Sequence, residues 1–196
     1  DYTSNQFPSP ERINMMIPLH KVTDIDYYFF STTFMLVPES LFSEEEADKF
    51  FSLSHILKHG YDIKLSNIKN IKSVYLYEAP ATIEPHQLVN KLLLDYLIQT
   101  IDNGFQIHVN VTSSGILITV FNNKKLLLSN FYTAESATDK LYFIVLASEQ
   151  SGSSLSSSNI IVSGEINEEE ELINLLKEYS KNITISGLVK NVTFGF

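Results

Sequence analysis

Cysteine is absent from all 196 residues, which removes disulfides, thiolate zinc sites, iron–sulfur clusters and a cysteine nucleophile in one stroke. That composition fits a reducing cytoplasm, the location expected. Tryptophan is absent as well, so thirteen Phe and ten Tyr must supply the aromatic volume of the core. Glycine is scarce: seven residues are few for a chain that would cradle phosphate on its backbone. Neither a Gly-x-x-x-x-Gly-Lys loop nor a Gly-x-Gly-x-x-Gly turn occurs. Positive charge is short too. Fourteen Lys and Arg face 23 Asp and Glu, giving a net charge of −9, whereas nucleic acid and anionic lipid both require a basic footprint. Lys124-Lys125 is only a hairpin pair. No apolar run approaches the ~20 residues needed to span a bilayer, so membrane insertion is not expected. No signal peptide is visible, and a start at Asp1 rather than Met points to sequence upstream.

What remains is an ordinary globular composition, with 44% hydrophobic and 19% charged residues. A chain of this length buries about 70% of its unfolded surface, as one domain or two small ones. Residues 1–26, with Pro8, Pro10 and Pro18, read as a loop or disordered lead-in. A strand is predicted over 27–37 and closed by Pro38. Ser43 with Glu46 forms a capping box for a helix to about Leu57, stopped by Gly60. A short strand over 74–77 precedes an amphipathic helix over 85–102, with Pro85 in its first turn.

Three strands follow, at about 106–112, 115–121 and 125–131, turning at Ser113-Ser114 and at Asn122-Asn123. Ile107, Val109 and Val111 alternate with His108 and Asn110, which read as a solvent-facing pair, with a polar groove as the alternative. A helix over 136–149 is apolar nearly all round and is expected to lie buried between layers. Six serines between Ser151 and Ser158 read as a flexible connection to a buried strand at 160–162. Asn167 is expected to cap a helix with the stripe Leu172, Leu175, Leu176 and Tyr179, before short strands at about 183–188 and 191–195. A meander followed by alternating helices and strands argues an α/β layer architecture.

Isolated chemistry is thin. His55 and His59 are four apart, but no His-Glu-x-x-His motif or third ligand accompanies them. Glu165 and Glu168 to Glu171 fan around a helix start, where the dipole already explains acidic residues. No Gly-x-Ser-x-Gly elbow supports a serine nucleophile. The sequons beginning at Asn110, Asn182 and Asn191 lie in strand-like runs and read as chance.

Several blocks nevertheless stand in a familiar order: Phe34-Met-Leu-Val-Pro38 with Ser40-Leu41-Phe42, Lys125-Leu126-Leu127-Leu128 running into Asn130-Phe131, Asp139-x-Leu141-Tyr142, and Ser163-Gly164-Glu165-Ile166. From about Phe34 to Asn182 this order resembles the bacterial family called domain of unknown function 3822. The resemblance implies an actin-like, ribonuclease-H-like mixed sheet with helices. Its second half would be complete and its first half partial. It divides the chain into a lead-in (1–26), a partial first lobe (27–84), a connecting helix (85–104) and a second lobe (105–196).

Superfamily members hold ATP between lobes, so the resemblance implies where a nucleotide site would fall. Asn110, Thr112, Ser113, Ser114 and Gly115 would form the second phosphate hairpin, and Ser163 and Gly164 the adenosine turn. The superfamily pattern has Asp and Gly where Asn110 and Thr112 stand, and a second Gly where Glu165 stands. A neutral amide is a poor anchor for Mg²⁺. The expected protein is therefore a non-catalytic scaffold or interaction module, with protein partners or self-association, no cofactor, and an aromatic interaction patch. The alternative is an ATP/Mg-binding switch or ATPase whose first phosphate loop lies elsewhere, with Asp139 and Glu165 as candidate acids. A small-molecule regulator using the interlobe cleft is a third possibility.

Overall fold

The computed structural model describes residues 28–165 and 170–186. Its first sheet is antiparallel and three-stranded, in the order β1-β3-β2, with β1 at Phe34–Pro38, β2 at Tyr61–Ile68 and β3 at Ser73–Pro80. Central β3 buries both faces. Val74 and Leu76 pack with Phe51 of the short helix α1 (Ala47–Ser52), while Tyr75, Tyr77 and Ala79 face the opposite way. Helix α2 (Val89–Thr100) then leads to the second sheet, after a 3-10 turn at Pro85–Gln87 closed by a Glu84/Gln87 capping box.

Several expectations change here. The strand expected from 27 starts only at Phe34, because the Ser31 hydroxyl donates to the Thr33 carbonyl and accepts the Thr33 N–H, forming a tight turn. Phe29 instead makes an isolated parallel bridge to Leu88. The helix expected to reach Leu57 stops at Ser52, and the Ser43 side chain does not cap it. Strand β2 was not anticipated, although Tyr61, Ile63 and Leu65 alternate with Asp62, Lys64 and Ser66.

The second sheet has five strands in the order β6-β5-β4-β7-β8: β4 Phe105–Thr112, β5 Gly115–Asn122, β6 Lys125–Thr133, β7 Asn159–Gly164 and β8 Ile183–Ile185. β4, β5 and β6 form the antiparallel meander, whereas β7 and β8 add in parallel. The parallel strands need crossovers, provided by α3 (Ala137–Gln150) and α4 (Glu170–Tyr179). Asn123 and Lys124, at φ 48° and 67°, form the second turn one residue beyond its expected place. Two successive positive φ values match the twist a two-residue hairpin needs. Asn123 also ties this turn to the start of β4, accepting the Gly104 N–H and donating its own to the Gly104 carbonyl.

Helix α3 is not buried all round. Leu141, Ile144 and Ala147 meet the sheet, Tyr142 is exposed, and Phe143, Val145 and Leu146 are half-buried, because the helix covers one sheet face. The serine connection is a short 3-10 turn anchored by buried Leu155, and its hydroxyls bond one another, as between Ser153 and Ser158 at 2.6 Å. On α4 the buried stripe is Leu172, Ile173 and Leu176, leaving Tyr179 exposed. The Asn167 cap, the strand at 191–195 and the lead-in lie outside the described residues.

A candidate site on a polar sheet face beneath a helix

Pairing geometry brings the seven residues of the expected nucleotide site to one end of the second sheet. Thr112 pairs with Gly115 across the β4–β5 turn, and on β4's other side Asn110 and Val111 pair with Ser163 and Gly164. The turn satisfies itself: Thr112 Oγ1 donates to the Gly115 carbonyl at 3.1 Å and lies 3.4 Å from Ser114 Oγ. Ser113 and Ser114 are exposed. Thr133 pairs with Gly115, so α3 also starts at this end.

Both glycines are explained by close backbone contact. A Cβ on Gly115 would stand 2.1 Å from the Tyr132 carbonyl oxygen, and one on Gly164 would stand 2.1 Å from that of Val111. Gly164 also has φ +95°, a conformation L side chains rarely adopt. Enlarging either residue would damage the sheet, so neither is a clean probe of ligand binding.

On this strand face Asn110 is buried and His108 half-buried, which corrects the solvent-facing reading of the pair. Leu93 and Leu97 of α2 lie over it, and with His108, Asn110, Leu117, Thr119, Ile161 and Ser163 they line a hollow of about 10 Å³, the space of one water. Asn110 Nδ2 donates to Ser163 Oγ at 3.0 Å, while its Oδ1 is buried with no partner. His108 Nε2 lies 3.3 Å from Gln106 Oε1, and its ring meets Phe121 edge-on. Burial pushes the His108 imidazole down to about 4, so it is neutral at pH 7.

The rival acids are placed differently. Asp139 sits at the right end of the sheet, but its carboxylate is engaged in the α3 capping box. Oδ2 accepts from the Ser136 hydroxyl at 2.7 Å, and these bonds hold the exposed carboxyl below its ordinary range. Glu165 is exposed, and its N–H donates to the Val111 carbonyl. His55 is committed elsewhere, with Nε2 3.1 Å from the Phe34 carbonyl oxygen. Among the described residues no three His, Asp or Glu side chains cluster as metal ligands. No helix among them is long and apolar enough to cross a membrane.

Sequence reasoning missed one buried carboxylate. Glu78 of β3 is 1% exposed, and Lys58 meets its Oε1 at 2.8 Å while the Lys58 N–H donates to Oε2 at 3.2 Å. No motif marks it; its even position among the apolar residues of β3 is its only sequence signal.

The family model described as "Protein of unknown function (DUF3822)" matches residues 21–183. The chain belongs to this family. Among solved structures, this DUF3822 chain is similar to a protein from Bacteroides thetaiotaomicron VPI-5482 described as having an actin-like ATPase fold and unknown function. The TM-score is 0.70 at 19% identity, over 89% of this chain and 75% of that one. At that identity the likeness carries the fold alone: the DUF3822 chain has the actin-like α/β architecture. No curated protein matches it in sequence.

Proposed function

We propose that this DUF3822 protein is a non-catalytic scaffold of actin-like fold, a pseudo-ATPase that works through contacts with other proteins. One observation carries the reading. Where superfamily members place a carboxylate to organise magnesium, Asn110 spends its amide on Ser163, beneath Leu93 and Leu97. A neutral group so enclosed gives Mg²⁺ no anionic oxygen. Bulky side chains contributed by both sheets, including Phe34, Tyr75, Tyr77, Phe121 and Phe131, share one core with α2 and leave the lobes little freedom to part.

A second reading, an ATP-binding switch, draws on the convergence of the Thr112–Gly115 turn with Ser163 and Gly164 at one sheet end. Thermal unfolding of the native protein with and without Mg-ATP separates the two. An unchanged midpoint is expected for the scaffold. A ligand present at about 100 times its Kd would add roughly 2.7 kcal/mol. An upward shift of that size would replace the scaffold with the switch.

A further inference from the structure

Residues 28–33, just ahead of β1, touch β3, the start of α2 and β6 at once. Phe29 makes an isolated parallel bridge to Leu88: its N–H donates to the Gln87 carbonyl at 2.8 Å, and its carbonyl accepts the Val89 N–H at 2.8 Å. Two residues on, the Ser31 hydroxyl donates to the Glu78 carbonyl of β3 at 3.1 Å, and the Thr33 carbonyl accepts the Glu78 N–H at 3.2 Å. Between these ties the Phe30 ring meets Phe131 of β6 edge-on, with centroids 5.7 Å apart.

The bridge at Leu88 does not lengthen into a ladder, because the chain turns helical at Val89 and its next peptide groups align with the axis of α2. Asn90 takes their place with its side chain. Its Oδ1 accepts the Ser31 N–H at 2.8 Å, and its Nδ2 donates to the Ser31 carbonyl at 2.9 Å. A primary amide carries an acceptor and a donor as a peptide unit does, so this side chain grips main chain in the manner of a neighbouring strand. The position belongs to the buried stripe of α2, with Leu94 and Leu97. A polar group there costs stability unless it is hydrogen-bonded, and both ends of this amide are. Asp would keep only the acceptor, and Leu neither group.

We propose that residues 28–33 form a strap between the lobes, latched by Asn90, and that this strap opens as a unit while both sheets stay folded. The strap is tied by a few hydrogen bonds and ring contacts, whereas β1 beyond Thr33 is paired with β3 along its whole length. A segment tied in this way opens at lower cost than the ladders behind it. Opening bares the side of Phe131 that Phe30 covers, and frees the ring of Tyr61, whose centroid lies 6.3 Å from that of Phe29. The latch therefore sets how much aromatic surface the molecule shows between its lobes. This device goes beyond the scaffold reading and operates whether or not a nucleotide binds.

Hydrogen exchange of the full chain, followed amide by amide by NMR, tests the strap. In Asn90→Leu the amides of Phe29, Ser31 and Val89 exchange at least about tenfold faster than in the wild type, the scale of leaving a buried backbone group without its partner. Those of Val109 and Ile118, in the ladders of the second sheet, change less than about twofold. Phe29 and Val89 are the telling positions, since neither bonds to Asn90 and both follow only if the strap moves as one piece. Asn90→Asp gives an intermediate acceleration. Phe30→Ala, which loosens the strap from the side of β6, speeds the same amides with Asn90 in place, and it carries the comparison if Asn90→Leu does not fold. Acceleration at Ser31 alone overturns the strap as a unit. Equal acceleration at Val109 and Ile118 makes Asn90 a support of the whole core and overturns the latch, as does exchange that no variant alters.

Discussion

The two faces of the five-stranded sheet are both covered by helices but differ in chemistry and in depth, since His108 and Ile161 beneath α2 are only half-buried. Under α3 and α4 the buried centre of the face is aliphatic, with Ile107, Val109, Val111, Ile116, Ile118, Val120, Ile160 and Val162 in one cluster and Tyr132 of β6 packed against it. Beneath α2, the same strands present Gln106, His108, Asn110, Thr119 and Ser163 among Leu117, Phe121 and Ile161. Polar groups denied water need partners, and Leu93 and Leu97 offer none. The polar groups therefore pair among themselves, Asn110 with Ser163 and His108 with Gln106, and one acceptor on Asn110 is left over. The α3/α4 face packs through apolar side chains alone, whereas the α2 face packs through side chains that also hydrogen-bond to one another.

Three experiments press on this contrast. The largest effect is expected on the aliphatic face: Ile118→Ala, at a fully buried position, costs about 3 kcal/mol in denaturant unfolding through lost transfer energy and a residual cavity. A loss below about 1 kcal/mol would mean that this face is loosely packed, and the contrast would fail.

Next comes pH. His108 has its folded pKa lowered to about 4 from the ordinary 6.5, so the unfolded chain takes up the proton first. Its contribution is complete above pH 6.5 and declines as pH falls toward 4, where both states are protonated. Between pH 6.5 and 5, before most carboxylates titrate, the wild type should lose about 2 kcal/mol. His108→Gln should flatten that slope, and identical slopes for the two proteins would show that His108 is already open to water. The smallest effect belongs to Asn110→Leu. Removing a buried acceptor that has no partner offsets the hydrogen bond lost to Ser163, leaving stability within about 1 kcal/mol of wild type. A loss of several kcal/mol would mean that a bound water or ion completes the Asn110 site.

Legibility in the sequence followed the same division. The meander, α3 and β7 could be read because their signals are local: clean alternation from Gln106 to Thr112, a nearly continuous apolar run within 136–149, and a short β-branched run at Ile160. The aliphatic face followed directly from that alternation. The polar face was readable as residues but not as an environment, since only the position of α2 decides whether His108 and Asn110 meet water. Strand β2 carried an equally clean alternation at Tyr61, Ile63 and Leu65 and went unread, an avoidable miss. The early end of α1 was not readable at all. Beyond it, His55 meets the Phe34 carbonyl oxygen 21 residues away, a contact that no local propensity records.

The order of the second sheet also governs how a new chain would assemble it. β4 is joined to β5 by two residues, so one of its hydrogen-bonding edges closes almost as soon as it is made. Its other edge waits until β6, α3 and the serine turn have been synthesised and β7 arrives. During that interval a strand rich in Val and Ile presents an unpaired backbone, the template on which nascent chains stick to one another. The step that brings β7 home is thus also the one that protects the chain from aggregation.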